Sequence, residues 1–160
     1  MTEPRWLSTA ELELWLKLRA VTMLLPPAIE APLKSEHGLT FFEYYVLALV
    51  NDAPESRMKL SELAARTHSS ISRLSHVVTR MEKQGHLERR ACPIDGRSSY
   101  AAITDSGRDL IVEAAPGHVT TVRRTVLDAL DAPTRAGLDA GLDALLGVLD
   151  PAHDLTRPIA

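Results

Sequence analysis

The chain is poor in the residues that most often announce chemistry. One cysteine, Cys92, stands among 160 residues, which excludes an internal disulfide framework and cannot by itself build a zinc site. The six histidines, His37, His68, His76, His86, His118 and His153, never fall at His-x-x-x-His or His-Glu-x-x-His spacing. No structural metal is implied, and no cofactor is expected. A glycine-rich phosphate loop and a Gly-x-Ser-x-Gly elbow are both missing, and no nucleophile, base and orienting acid form a recognisable set, so nothing supports an enzyme. No run of about 18 uncharged apolar residues occurs. The start, Met1-Thr2-Glu3-Pro4-Arg5, lacks the basic-then-apolar order of a signal peptide, and the expectation is a cytoplasmic protein that engages no membrane. Internal repeats and low-complexity stretches are also absent.

An overall basic charge is lacking too: the formal net charge is −3. That total hides a division. From Arg57 to Arg108 there are ten basic residues against five acidic, a balance of +5, whereas the rest of the chain holds eight basic and sixteen acidic, a balance of −8. Neutralising phosphates requires a local cluster of Lys and Arg rather than a basic protein, so the mildly acidic total is compatible with nucleic-acid binding. A solvated surface of mixed sign would have the same composition, and charge alone leaves both readings open.

Apolar content of 45% in 160 residues suits one domain, or a small domain with helical extensions. Ser8 with Glu11 three residues later is a capping box, and Leu12, Trp15, Leu16, Val21, Leu24 and Leu25 recur at helical spacing after it. Pro26, Pro27 and Pro32 then remove amide donors, so this helix either ends at Leu25 or kinks there. Thr40 and Glu43 form a second box ahead of an apolar helix from Phe41 to Val50, and Asn51-Asp52-Ala53-Pro54 ends it. Leu60 to Arg66 is a two-turn amphipathic stretch with Leu60, Leu63 and Ala64 inward, followed by a turn at Thr67-His68-Ser69.

Ser70 can cap a helix that keeps Ile71, Leu74, Val77, Val78 and Met81 inward and leaves Ser72, Arg73, His76, Thr79, Arg80 and Lys83 pointing out, with Gly85 as its stop. Leu87–Ala91 and Ser98–Ile103 are extended candidates joined by Cys92-Pro93-Ile94-Asp95-Gly96-Arg97, which is turn chemistry, so a two-strand hairpin is expected. Thr104 should cap a long helix from about Asp105 through Ala132, striped by Val119, Val122, Val126 and Leu130. Pro133 suits the first position of a last helix with Leu138, Leu142, Leu145 and Leu149 on one face. Helix, turn, helix and hairpin in that order describe a winged helix-turn-helix.

At this point the chain resembles the multiple-antibiotic-resistance regulator (MarR) family of bacterial transcription factors. The match runs through Leu60-Ser61-Glu62-Leu63-Ala64, Arg80 to Arg89, Asp95-Gly96-Arg97 and Thr104-Asp105-Ser106-Gly107, four blocks in the right order over about 48 residues. The resemblance implies a mainly α fold with a small β-hairpin wing. Its parts would be an N-terminal dimerisation helix (1–38), a DNA-binding winged helix-turn-helix (39–104) and C-terminal dimerisation helices (105–160). It also implies a homodimeric repressor on an inverted-repeat operator in double-stranded DNA, released by a small aromatic or phenolic effector.

A recognition helix reads base edges with its first turns and grips phosphates with the rest. Ser70, Ser72, Arg73 and His76 are therefore the candidates near bases, and Arg73 suits guanine because one guanidinium can donate two bonds to it. His76 is as readily a solvated residue. Arg80 and Lys83 lie further along, Arg80 in a position the family uses for structure or phosphate. Arg97 resembles the family's wing arginine, oriented by Asp95 across Gly96. Arg89 and Arg90 flank the hairpin and face opposite ways, so one of them should reach phosphate. For the effector, the resemblance implies a pocket lined from the first, second and fifth helices, with candidates Trp15, Arg19, Met23, His37, Tyr44 and Tyr45 and either Arg19 or His37 to pair a carboxylate. For Trp15 and the two tyrosines, ordinary core is the simpler reading. Two alternatives stay open: redox sensing through Cys92, whose thiol Arg89 and Arg90 would activate, and a winged-helix protein-interaction module without DNA.

Overall fold

The computed structural model describes residues 3–91 and 99–156. Most of its helix starts are built from side chains visible in the sequence. Ser8 Oγ accepts from the Glu11 amide (3.3 Å) while the Glu11 carboxylate accepts from the Ser8 amide (2.7 Å), opening α1 (Thr9–His37). Thr40 and Glu43 repeat the exchange at 3.2 and 2.9 Å for α2 (Phe41–Asp52). Ser70, Thr104 and Asp131 cap α4 (Ile71–Lys83), α5 (Asp105–Val122) and α6 (Ala132–Leu149) by accepting from Arg73, Gly107 and Thr134. The short α3 (Leu60–Arg66) has no side-chain cap and depends on packing.

Between these helices lies a three-stranded antiparallel sheet in the order β1-β3-β2, with β1 at Arg57–Lys59, β2 at Leu87–Ala91 and β3 at Ser99–Ile103. Leu87 stands opposite Ile103 and Ala91 opposite Ser99. The hairpin expectation thus missed a strand. Arg57-Met58-Lys59 is too short to carry a periodicity, and it becomes a strand only because Met58 is buried opposite Ala101.

Two helical expectations are corrected, and of the two readings open for the first helix one is excluded. The first helix does not stop at Leu25; it continues through Pro26, Pro27 and Pro32 to His37, where Gly38 (φ 69°) closes it. The carbonyls left without donors belong to Thr22, Met23 and Ala28, all on exposed residues where water can serve them, while Ile29 and Leu33 pack inward and hold the second half in place. The fifth helix ends at Val122 rather than Ala132. Arg123–Leu127 widens into one π turn, with the Asp128 amide donating to Arg123 O at 2.8 Å, and Arg135 then serves the open carbonyls of Leu127 and Leu130 at 2.8 and 3.1 Å. With Asp131 as cap and Ala132 first, Pro133 occupies the second helical position, where its missing amide is equally harmless.

The core lies where α2, α3 and α4 meet the sheet and α5. Val46, Leu47, Val50, Leu63, Leu74, Val78, Met81, Ala101 and Ala114 have no exposed surface, and each large member contributes roughly 1.5–3 kcal/mol by burial. The molecule's two ends are built differently. Residues 3–17 of the N-terminal segment are exposed throughout, and α6 buries none of its residues. Beyond α6, the Asp150 carboxylate accepts from the amides of Asp154 and Leu155, and Tyr45 Oη donates to Leu155 O at 3.2 Å, which brings the tail back onto α2. Among the described residues, no helix is long and apolar enough to cross a membrane.

Candidate nucleic-acid interface

The turn between α3 and α4 is held by its own side chains. Thr67 Oγ1 donates to Leu63 O at 2.7 Å and lies 3.0 Å from Ser69 Oγ, and His68 takes a left-handed conformation (φ 45°) that lets the Ser69 amide reach Ala64 O at 2.9 Å. The chain leaves this turn into α4 with a first turn that stands clear of the lobe. Ser70, Ile71, Ser72 and Arg73 are all exposed, as is His76 one turn later, while Leu74, Val78 and Met81 anchor the opposite face. Ile71, expected inward, is 58% exposed: its place on the apolar stripe lies beyond the edge of the core that receives Leu74. Unlike α1, α2, α3 and α5, α4 has no acidic residue in its first turn, so the positive end of its dipole is left for an external anion.

Arg73 lies with its guanidinium carbon 4.9 Å from the centroid of the Phe42 ring. A guanidinium at that distance is attracted by the quadrupole of the ring while its N–H groups can still donate. Ser70 spends a lone pair on the Arg73 amide (3.2 Å) and keeps its hydroxyl proton for an acceptor. Lys83, at the end of α4, is exposed.

Much of the positive charge counted in the sequence is already engaged inside the molecule. Arg66 is buried. Arg80 donates to the buried Glu43 at 2.7 Å, and since Glu43 also accepts from the Thr40 amide and hydroxyl, one carboxylate joins the start of α2 to α4. Arg89 donates to Glu82 (3.0 Å), Ser75 O (2.8 Å), Ser75 Oγ (2.9 Å) and Thr79 Oγ1 (2.9 Å), a clamp between β2 and the outer side of α4. Arg90, its neighbour, is 54% exposed and pairs with the exposed Glu88. Arg108 ties α5 to Asn51 (2.9 Å) and Ser56 (3.2 Å), and Arg57 and Lys59 both sit over the Tyr100 ring at 5.3 and 6.0 Å. The window from Arg57 to Arg108 is therefore partly a scaffold of internal tethers. Cys92, Asp95 and Arg97 lie outside the described residues.

Two of the six candidates for effector binding share a groove among the described residues. Trp15 and Arg19 line an open, apolar groove of about 630 Å³ between α1 and α6, together with Leu18, Leu142, Leu145 and Leu149. Met23 is 67% exposed and does not line that groove. His37 ends α1 beside Glu36, at 4.0 Å. Tyr44 belongs to the core and Tyr45 is bound to the tail.

The aromatic group around Tyr44 includes a residue the sequence did not single out. His118 of α5 packs against Tyr44 with ring centroids 4.3 Å apart, and against Phe41 at 6.0 Å. Its Nδ1 is buried with no hydrogen-bond partner among the described residues. Burial holds the imidazole below its ordinary value, and burial followed by the charge of Asp52 raises the Tyr44 phenol. Glu30 was likewise invisible in the sequence: from α1 it accepts the Phe41 amide at 3.0 Å and so adds a carboxylate to the start of α2.

Comparison with known proteins agrees with this architecture. The model of the MarR family matches residues 37–98, from the end of α1 into the wing. Sco3205, a MarR family transcriptional regulator from Streptomyces coelicolor crystallised in complex with DNA, is 33% identical, with 94% of each chain covered and a TM-score of 0.89. AbsC, a regulator of the same family from the same organism, is 35% identical over 91% of this chain and 98% of its own, with a TM-score of 0.87. An uncharacterised HTH-type transcriptional regulator of Bacillus subtilis, YkoM, is 30% identical over 89 residues, and that match spans little more than half, 56%, of each chain. Agreement in sequence and backbone over nearly the whole length of the Streptomyces proteins extends beyond the helix-turn-helix to both terminal helices. The chain belongs to the MarR family and is a DNA-binding transcriptional regulator.

Proposed function

We propose that the protein acts as a homodimer on an inverted-repeat operator, represses from it, and is released by a small aromatic carboxylate. The observation that carries the DNA half is the exposed first turn of α4, held out by a well-packed second half and free of acidic side chains. Ser70, Ser72, Arg73 and His76 then face base edges. Lys83 and Arg90 meet phosphates, and Arg97, oriented by Asp95, does the same from the wing. Arg89 keeps α4 in position instead of touching DNA, because its Nε and Nη2 donors are spent on Glu82, Ser75 and Thr79, whereas Arg80, tied to Glu43 through one nitrogen, keeps donors for a phosphate.

Residues 1–38 and 105–160 form the dimerisation region and 39–104 the DNA-binding lobe. Support comes from the apolar residues that the single chain leaves in water outside the groove between α1 and α6: Leu12, Leu16, Val21 and Leu24 on α1, and Leu138 on α6. A second copy would cover them. For the effector, the groove between α1 and α6 offers an apolar wall, the Trp15 ring and the Arg19 guanidinium, a chemistry suited to an aromatic ring bearing a carboxylate. Such a ligand switches the protein only by favouring a lobe spacing that does not fit DNA.

The test is a titration of duplexes selected from a random library by the protein itself, at two salt concentrations. A two-fold symmetric footprint with half-sites about one helical turn apart and steep loss of affinity with salt is expected. Arg73→Ala and Arg97→Ala should each weaken binding by roughly 1–3 kcal/mol, and Lys83→Ala should lower the salt slope by about 1. A footprint without symmetry, or affinity indifferent to salt, overturns the reading.

A further inference from the structure

We propose that Ile71 reads a thymine methyl group and sets part of the operator's sequence specificity; this rests on α4 entering the major groove. On α4 the buried residues Leu74, Val78 and Met81 follow one another at helical spacing, and Ile71, three residues before Leu74, continues their line. Its side chain is nevertheless 58% exposed, at the first helical position, between the exposed Ser70 and Ser72. A single exposed apolar residue is common on protein surfaces. This position is not a neutral one, however. A helix start is served by proline or an acid, and a β-branched apolar side chain gives it neither a preset φ nor a charge favourable to the dipole.

The neighbours of Ile71 divide the remaining work of a groove surface. Arg73 lies exposed over the Phe42 ring, and Ser70 and Ser72 offer hydroxyls. All three are polar and can only exchange hydrogen bonds. The floor of the major groove carries one apolar group, the C5 methyl of thymine, so an isoleucine at the tip of the reading helix has one complementary target there. Contact would remove both the methyl and the branched side chain from water.

The experiment compares the duplexes selected by the wild-type protein with the same duplexes in which each thymine in turn is replaced by uracil, which deletes only the methyl. For the wild type, one position per half-site should lose about threefold to fivefold in affinity, the value of one buried methyl. Ile71→Ala should lose a similar factor on the parent duplex and should then be indifferent to uracil at that position, and Ile71→Val should fall between. Because the side chain is exposed, both variants should keep the wild-type melting temperature, and the valine variant repeats the test with the smaller change. A uracil penalty of equal size in wild type and Ile71→Ala at every position overturns the assignment while leaving DNA binding intact. Absence of salt-sensitive binding to any duplex would instead remove the groove docking on which it rests.

Discussion

Replacing Gly107 by alanine adds one Cβ at the point where α5 leaves the wing. That atom would lie 2.1 Å from the carbonyl oxygen of His86, 2.9 Å from Cγ1 of Ile103 and 3.0 Å from the His86 carbonyl carbon. The crowding comes mainly from backbone, which cannot swing away as a side-chain tip can. An ordinary carbon–oxygen contact needs roughly 3.3 Å, so α5 and the segment after α4 must part by about 1 Å. Two hydrogen bonds donated by Thr104 sit at that joint. The Thr104 amide donates to His86 O at 3.2 Å, and Thr104 Oγ1 donates to Gly85 O at 2.6 Å while also capping α5.

Alanine favours a helix over glycine by about 1 kcal/mol, which works against the clash. Overpacking costs about 1–3 kcal/mol and each weakened hydrogen bond about 1, so the clash wins and the net loss is about 2–4 kcal/mol. For a chain of this size that lowers the melting temperature by about 5–12 °C. Thermal and urea unfolding of Gly107→Ala measure it directly. Because the joint fixes the end of α4 against β2 and β3, the folded fraction of the variant should also bind a selected duplex more weakly than wild type. A melting temperature equal to or above that of the parent refutes the reasoning, since propensity would then have outweighed a contact judged too close to relax.

Arg89→Ala should cost about 1–2 kcal/mol in urea unfolding because it unlinks β2 from Glu82, Ser75 and Thr79, whereas Arg90→Ala, in an exposed pair, should cost less than about 1; equal losses would show that the clamp is not structural. Leu74→Ala removes a side chain with no exposed surface and should destabilise by about 2–5 kcal/mol, to be checked by the same unfolding series. Burial keeps the folded-state His118 below the ordinary value of 6.5, so as the pH falls below 6.5 the unfolded chain takes up its proton first and stability is lost. His118→Phe, filling the same place beside Phe41 and Tyr44, should flatten that part of the stability profile, and an unchanged slope below pH 6.5 would exclude His118 as its source.

The sequence by itself determined the parts that depend on neighbours a few residues apart. Ser8 with Glu11, Thr40 with Glu43, Ser70, Thr104 and the left-handed Gly85 all sit at the helix ends assigned to them, because a cap is a bond between residues three or so positions apart. The order helix, turn, helix, hairpin was legible for the same reason, and together with four motif blocks it carried the resemblance to a family of DNA-binding regulators. The tertiary structure decided what depends on distant partners. Prolines at 26, 27 and 32 read locally as an end or a kink, and it is the burial of Ile29 and Leu33 that carries α1 past them. Arg80 and Arg89 count as free cations in a composition and become tethers once Glu43 and Glu82 come within reach. Ile71 follows the apolar period and is left in water, since period describes a helix's own face and not where the core beneath it ends. His118 meets Tyr44 across more than seventy residues, a distance at which no spacing rule operates and only the packing of α5 on α2 brings the two rings together.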